Sequence, residues 1–129
     1  MRWMAVALVA TMGVYATLSN AQQEHQGPLL PRDSADAAAF RGGLVFANYC
    51  VTCHGMNADG NGRAARLYSP RPANLRGSNR QDNYLELIVR VGGEPLGRSP
   101  KMPPWGEELT DEQIRDVVAF VRSVNETKP

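Results

Sequence analysis

The sequence predicts an all-α domain with long connecting loops, and three observations support this fold class. Apolar residues recur at helical spacing in three separate segments, around 34–49, 82–91 and 110–124. The stretches between them, 55–81 and 92–108, lack a period and are rich in glycine and proline. No segment alternates apolar and polar residues as a half-buried strand would.

The first helix is predicted to begin at Ser34 or Asp33, since either side chain can cap its first turn. Apolar residues then recur at i, i+4 and i+7, which predicts the buried face. This face consists of Phe40, Leu44 and Ala47, with Phe46 nearby. The same helix contains adjacent glycines, each costing up to about 1 kcal/mol relative to alanine. These glycines, Gly42 and Gly43, indicate that another backbone packs closely at this point.

A second helix is predicted from about Asp82 to Val91, and the glycine pair Gly92-Gly93 is predicted to end it. Its predicted apolar face consists of Tyr84, Leu87, Ile88 and Val91.

The last helix has the clearest signals. Thr110 and Gln113 form a capping box, and Leu109 with Ile114 a hydrophobic staple. The buried stripe is predicted to follow, with Phe120 at its edge. Its members are Ile114, Val117, Val118, Val121 and Val124.

The N-terminus predicts export. Arg2 precedes an apolar run at 3–18, and the small residues at 19–21 favour cleavage before Gln22. Residues 1–21 are therefore expected to be a signal peptide, 22–33 a flexible lead-in and 34–129 the domain. An uncleaved anchor is the alternative, although the run is shorter than the roughly 20 residues that cross a bilayer comfortably. We expect no stable membrane insertion after cleavage.

The charges are nearly balanced but unevenly placed. Fourteen Lys and Arg face thirteen Asp and Glu, which argues against a nucleic-acid partner. Residues 55–104 hold eight basic and four acidic side chains, whereas 105–129 hold three basic and six acidic ones. Such a dipole can orient an encounter with a charged partner, or can simply be a solvated surface.

The chemistry is concentrated at Cys50-Val51-Thr52-Cys53-His54, a C-x-x-C-H motif that attaches c-type haem. Two thiols at this spacing can each form a thioether with one haem vinyl group, and the next residue then offers its imidazole to the iron. A thioredoxin-like redox pair would require a βαβ context, which this sequence does not predict. A zinc half-site would need two further ligands, and the only other histidine is His25.

The sixth ligand is predicted to be Met102. Methionine commonly joins histidine on the iron of cytochromes c. Met56 follows His54 too closely to reach the opposite haem face, whereas Met102 lies in a proline-rich segment that restricts the loop. Ordinary packing of a loop methionine is the alternative.

With these motifs the chain resembles the monohaem class I cytochromes c over residues 36–124. The first matching block runs from Gly42 through Phe46 to the motif at 50–55. The second is Pro-Arg-Pro-Ala-Asn-Leu at 70–75, and the third joins Met102-Pro-Pro-Trp to the last helix.

The resemblance implies a class I cytochrome c fold, with three to four main helices and long loops around one covalent haem. It implies that the first and last helices cross through Gly42, Phe46 and Phe120. It also implies that a proline carbonyl accepts the axial His54 Nδ1–H, and Pro72 is predicted for this role with Pro70 as the alternative.

The function implied is transfer of single electrons in the bacterial periplasm, without catalysis by this chain alone. Redox proteins are the expected partners. The basic loops from Arg63 to Lys101, which include Arg98, are expected to frame the haem edge and to meet an acidic patch on the partner. Two other functions are considered. One is the electron-accepting subunit of a periplasmic dehydrogenase, and the other is an open-site haem enzyme or gas sensor.

Overall fold

The computed structural model describes residues 30–125. The predicted signal peptide at 1–21 and most of the predicted lead-in lie outside the described residues. Residues 31–125 belong to one compact unit. Within the described part of the chain, no helix is both long and apolar enough to span a membrane.

Within residues 30–125, four α-helices follow one another. They are α1 (Ala35–Tyr49), α2 (Val51–His54), α3 (Asp82–Val91) and α4 (Asp111–Ser123). Single 3₁₀ turns lie at Ala65–Leu67 and Glu94–Leu96, and residues 30–125 contain no strand. The all-α prediction is therefore confirmed, with three main helices and the short α2 between them.

The predicted helix starts are confirmed. The Ser34 hydroxyl accepts the Ala37 N–H at 3.1 Å, so Ser34 and not Asp33 caps α1. At α4, Thr110 accepts from the Gln113 N–H and donates its own N–H to the Gln113 side chain. This reciprocal pair satisfies two of the amides that a helix leaves unpaired at its start.

Helices α1 and α4 pack through the predicted glycine. A Cβ at Gly42 would lie 1.8 Å from the Asp116 carbonyl oxygen, so only glycine allows this approach of the two backbones. The Phe46 and Phe120 rings meet beside it, with centroids 4.9 Å apart and planes inclined by 44°. The contact implied by the family resemblance is thus present.

An ion pair that the sequence did not reveal closes the same crossing. Arg41 donates to both carboxylate oxygens of Asp116, from Nε at 2.7 Å and from a terminal nitrogen at 2.9 Å. Asp116 is only 5% exposed, so this two-bond pairing is what makes its burial tolerable. Arg41 also donates to the Arg32 carbonyl and thereby holds the chain that leads into α1.

The predicted buried face of α1 is wrong. Phe40 is 67% and Leu44 55% exposed, and Ala47 is exposed as well. The buried residues are Ala37, Gly42, Val45 and Phe46. The helix turns this face inward because the close approach at Gly42 fixes which side meets α4.

The core prediction for α4 is confirmed. Ile114, Val117, Val118 and Val121 are all at most 7% exposed, and Val124 packs against them. On α3 the prediction needs correction, since Leu85 is the residue buried against Val118 and Val121. The predicted α3 face is only partly covered, with Leu87 43% exposed.

Candidate functional site

The two cysteines stand one helical turn apart. The Cys50 carbonyl accepts the N–H groups of Cys53 at 3.2 Å and of His54 at 2.9 Å, which winds the motif into α2. Residues three apart lie on one side of such a turn. Both cysteines are partly buried, and neither is in a disulfide.

The Cys50 thiol does not have the properties of a redox pair. Burial, together with the neighbouring Cys53, raises the pKa of Cys50 to about 12. Reactive cysteines of thioredoxin-like proteins have lowered pKa values, because the thiolate is the nucleophile. A raised pKa is the opposite of what thiol–disulfide exchange of the thioredoxin kind uses.

The imidazole of His54 is held by the backbone. Its Nδ1 lies 3.0 Å from the Ala73 carbonyl oxygen. Because a carbonyl can only accept, Nδ1 carries the proton and Nε2 of the neutral ring keeps a free lone pair. Burial lowers the pKa of His54, although the bond to Ala73 raises it, so the neutral ring that binds metals is favoured.

The predicted acceptor was Pro72, and this assignment is wrong by one residue. The Pro72 carbonyl faces Gly60, whose missing Cβ would lie 2.6 Å from that oxygen. Successive carbonyls of an extended chain point in opposite directions, so the Ala73 carbonyl turns toward His54 instead. Pro70 is not the acceptor either.

The loop after the motif folds back on α2 and holds its C-terminal end. The N–H groups of Gly60, Gly62 and Ala64 donate to the carbonyls of His54, Cys53 and Thr52, at 2.8 Å, 3.1 Å and 2.9 Å. These are carbonyls that a helix cannot satisfy by itself. The Asp59 carboxylate accepts the Asn61 N–H at 3.0 Å, which lowers the pKa of Asp59 and tightens the turn. The turns at Asp59-Gly60 and Asn61-Gly62 thus hold the C-terminal end of the attachment motif in place.

The segment carrying Met102 returns to the attachment motif. The Trp105 ring packs edge-on against Tyr49, with centroids 5.2 Å apart, and Tyr49 directly precedes Cys50. Met102 is half-buried, whereas Met56 is 79% exposed. Met102 is thus less exposed than Met56, and its segment reaches the residue that precedes the attachment motif.

The donor set itself fits haem. Two partly buried cysteines lie one helical turn apart, and the next residue offers an imidazole that the backbone holds with Nε2 free. Helix α3 is apolar on more than one side, since Leu85 packs on α4 while Ile88 and Val91 are half-buried.

These features define a c-type cytochrome. Residues 37–121 match the family described as "Cytochrome C oxidase, cbb3-type, subunit III", and the chain belongs to that family. With a single C-x-x-C-H motif it is a monohaem protein that carries covalently bound haem c at Cys50 and Cys53.

Three curated relatives illustrate the range of the family. Cytochrome c-554(548) of Halomonas halodenitrificans is 34% identical over 93 residues, which cover 70% of this chain and 98% of the relative. The cbb3-type cytochrome c oxidase subunit FixP of a Bradyrhizobium species is 33% identical over 72% of this chain. The chain spans 29% of that FixP and 30% of the CcoP subunit of Azospirillum brasilense.

Among solved structures, a reducing HAO-like protein complex of Kuenenia stuttgartiensis matches with a TM-score of 0.57 and 29% identity. The match covers 67% of this chain and 42% of that one. The cytochrome fold implied by the sequence motifs is confirmed.

Proposed function

We propose that this cytochrome is a periplasmic carrier of single electrons, with its haem iron ligated by His54 and Met102. The observation that carries the proposal is the hydrogen bond from His54 Nδ1 to the Ala73 carbonyl, beside Cys50 and Cys53. This bond orients the imidazole and leaves Nε2 as the ligand atom. The apolar run at 3–18 supports export to the periplasm.

Each residue has a separate role in this proposal. The haem, when bound, supplies a one-electron couple. Thioethers at Cys50 and Cys53 would prevent its loss outside the cell, and His54 and Met102 would be the protein ligands of its iron. Ligation by His and Met raises the reduction potential. No residue is required to move a proton or hold a substrate, so the chain by itself is not an enzyme.

The sixth ligand can be tested with a matched pair of variants. The ferric protein should show the weak far-red absorption of an iron–methionine bond. Met102→Ala should abolish this band and allow cyanide to bind the ferric form, or carbon monoxide the ferrous form, readily. Met56→Ala, at the exposed methionine, should retain the band and the closed site. Absence of the band from the wild-type protein would favour the open-site haem enzyme or gas sensor.

We further propose that the protein docks through an arginine face consisting of Arg63, Arg66 and Arg71. These side chains line a concavity of about 340 Å³. Gly62, in the same wall, packs against the Cys53 carbonyl, so the face adjoins the attachment turn. None of the three arginines has an ion-pair partner among residues 30–125. They are better placed for an acidic partner than Arg98, which donates to the Tyr84 hydroxyl.

Small inorganic oxidants can measure the charge beside the haem without a known partner. Oxidation by ferricyanide, an anion, should be several-fold slower in Arg66→Glu and should slow as salt screens the attraction. Oxidation by a cationic cobalt complex should respond in the opposite direction. Arg115→Glu, an equal charge change at an exposed position of α4, is the control. Equal effects of the two variants would show that net charge, and not the arginine face, governs the encounter.

A second function is supported by the relatives, which include subunits of oxidases. In that case the chain transfers electrons as the haem subunit of a larger redox complex, for which a periplasmic dehydrogenase is one candidate. Native electrophoresis of periplasmic extract with staining for covalent haem distinguishes the two. A free carrier migrates near its own small mass, and a subunit migrates with the complex.

A further inference from the structure

The chain after α3 returns to the end of the same helix. The Trp105 N–H donates to the Val89 carbonyl at 2.9 Å, and the Gly106 N–H donates to the Arg90 carbonyl at 3.0 Å. These carbonyls belong to the last turn of α3 and have no partner within the helix. The segment 93–106, which carries Met102, is therefore fastened at its far end to the helix from which it departs.

Gly93 fastens the same segment at its centre. Its N–H donates to the Met102 carbonyl at 2.9 Å, and its own carbonyl accepts the Arg98 N–H at 2.9 Å. A Cβ at Gly93 would lie 2.3 Å from the Ser99 carbonyl oxygen and 3.2 Å from the Met102 Cβ. The obstacle at Ser99 is backbone and cannot rotate aside, so any side chain here must displace the Ser99–Met102 stretch.

Gly92 makes a second contact with the Met102 backbone. Its φ of +80° lies in a region that residues with a side chain rarely adopt. A Cβ there would lie 2.9 Å from both the Met102 carbonyl oxygen and the Pro104 nitrogen. Two consecutive glycines thus meet one residue of the loop, which is more than the termination of a helix requires.

We propose that Gly92 and Gly93 are positioning residues that fix the Met102 backbone and, through it, the approach of the thioether sulfur to the iron. This inference rests on the proposed ligation by Met102. The methionine side chain is flexible, so the position of the Met102 Cα determines how well the sulfur is aligned with the iron and how strained the bond between them is.

The main test is Gly93→Ala in the haem-loaded protein. The far-red absorption should weaken or disappear, and the reduction potential should fall. Exogenous imidazole should bind at least about tenfold more tightly, equivalent to roughly 1.4 kcal/mol lost from the competing internal ligand. Covalent haem content should not change. Gly77→Ala is the matched control, because a Cβ there meets nothing within 4 Å, and it should behave as wild type.

The outcomes separate this inference from the proposed function. If Met102→Ala leaves the wild-type spectrum intact, Met102 is not the ligand and both fail. If Met102→Ala abolishes the band while Gly93→Ala keeps the wild-type band, potential and imidazole affinity, the positioning role alone is overturned.

A measurement on the wild-type protein covers the case in which Gly93→Ala fails to mature. The Gly93 amide should be protected from hydrogen exchange, because it donates to the Met102 carbonyl. When imidazole displaces the methionine, this amide should exchange markedly faster if sulfur and backbone move together. Unchanged protection would show that the side chain detaches alone, and the proposal would be wrong.

Discussion

The α1–α4 crossing and the Met102 segment both depend on glycines pressed against a second backbone, but different forces hold them. At the crossing, Gly42 meets Asp116 among side chains that are almost completely buried, such as Phe46 at 3% and Ile114 at 0% exposure. At the Met102 segment, Gly93 meets Ser99 among exposed prolines, and backbone hydrogen bonds join the segment to the end of α3.

The difference predicts how each region depends on the haem. Burial of apolar side chains stabilises the crossing by about 1.5–3 kcal/mol for each large residue, whatever is bound elsewhere. A backbone hydrogen bond at the surface contributes only about 1 kcal/mol net. We therefore expect the crossing to set the global stability and the Met102 segment to open first, at a lower free energy.

Among the glycine contacts, the largest expected effect on stability comes from Gly42→Ala. The new methyl group would have to displace the Asp116 carbonyl, and overpacking of this severity should cost about 3 kcal/mol in the free energy of unfolding. The better helix propensity of alanine returns at most about 1 kcal/mol. Denaturant titration measures the loss, while the far-red band of the folded protein should persist. If Gly42→Ala instead loses the band but keeps its stability, the crossing does not set the global stability and the contrast between the two regions is wrong.

Some of this organisation could be predicted from sequence, because its signals are local. The α4 cap needs only Thr110 and Gln113, three residues apart, and the attachment motif needs five consecutive residues. Gly42 and Gly43 also predicted a close backbone, since two unfavourable residues in a helix require a compensating contact.

The rest depended on the path of the chain in space. The acceptor of the His54 hydrogen bond is Ala73 and not Pro72 because the Ala73 carbonyl points toward His54. The Pro72 carbonyl points toward Gly60 instead. The pairing of Arg41 with Asp116 joins residues 75 positions apart, with no pattern to link them. Met102 could be identified by its residue type, but its attachment to Gly93 could not.

An intermediate effect is expected from Phe120→Ala. The Phe120 ring packs against Phe46 and against Gly43, where an added Cβ would lie 3.3 Å from the ring. Phe120 is nevertheless only partly buried. The loss should be about 2 kcal/mol, below the roughly 3–5 kcal/mol of a fully buried phenylalanine. Phe46→Ala, measured in the same titration, should reach that higher range. If the two variants cost the same, Phe120 belongs to the buried core and not to its edge.

The smallest effect should come from Phe40→Ala, and it tests the orientation of α1 directly. Helical periodicity alone places Phe40 in the core with Leu44 and Ala47, whereas the structure leaves it 67% exposed. Removing an exposed side chain usually changes stability by less than about 0.5 kcal/mol, and alanine is the better helix former. Phe40→Ala should therefore unfold at the wild-type denaturant midpoint, far from Phe46→Ala on the same helix. A loss above about 2 kcal/mol would mean that this face of α1 is covered, and that the position of Gly42 does not decide which side of the helix meets α4.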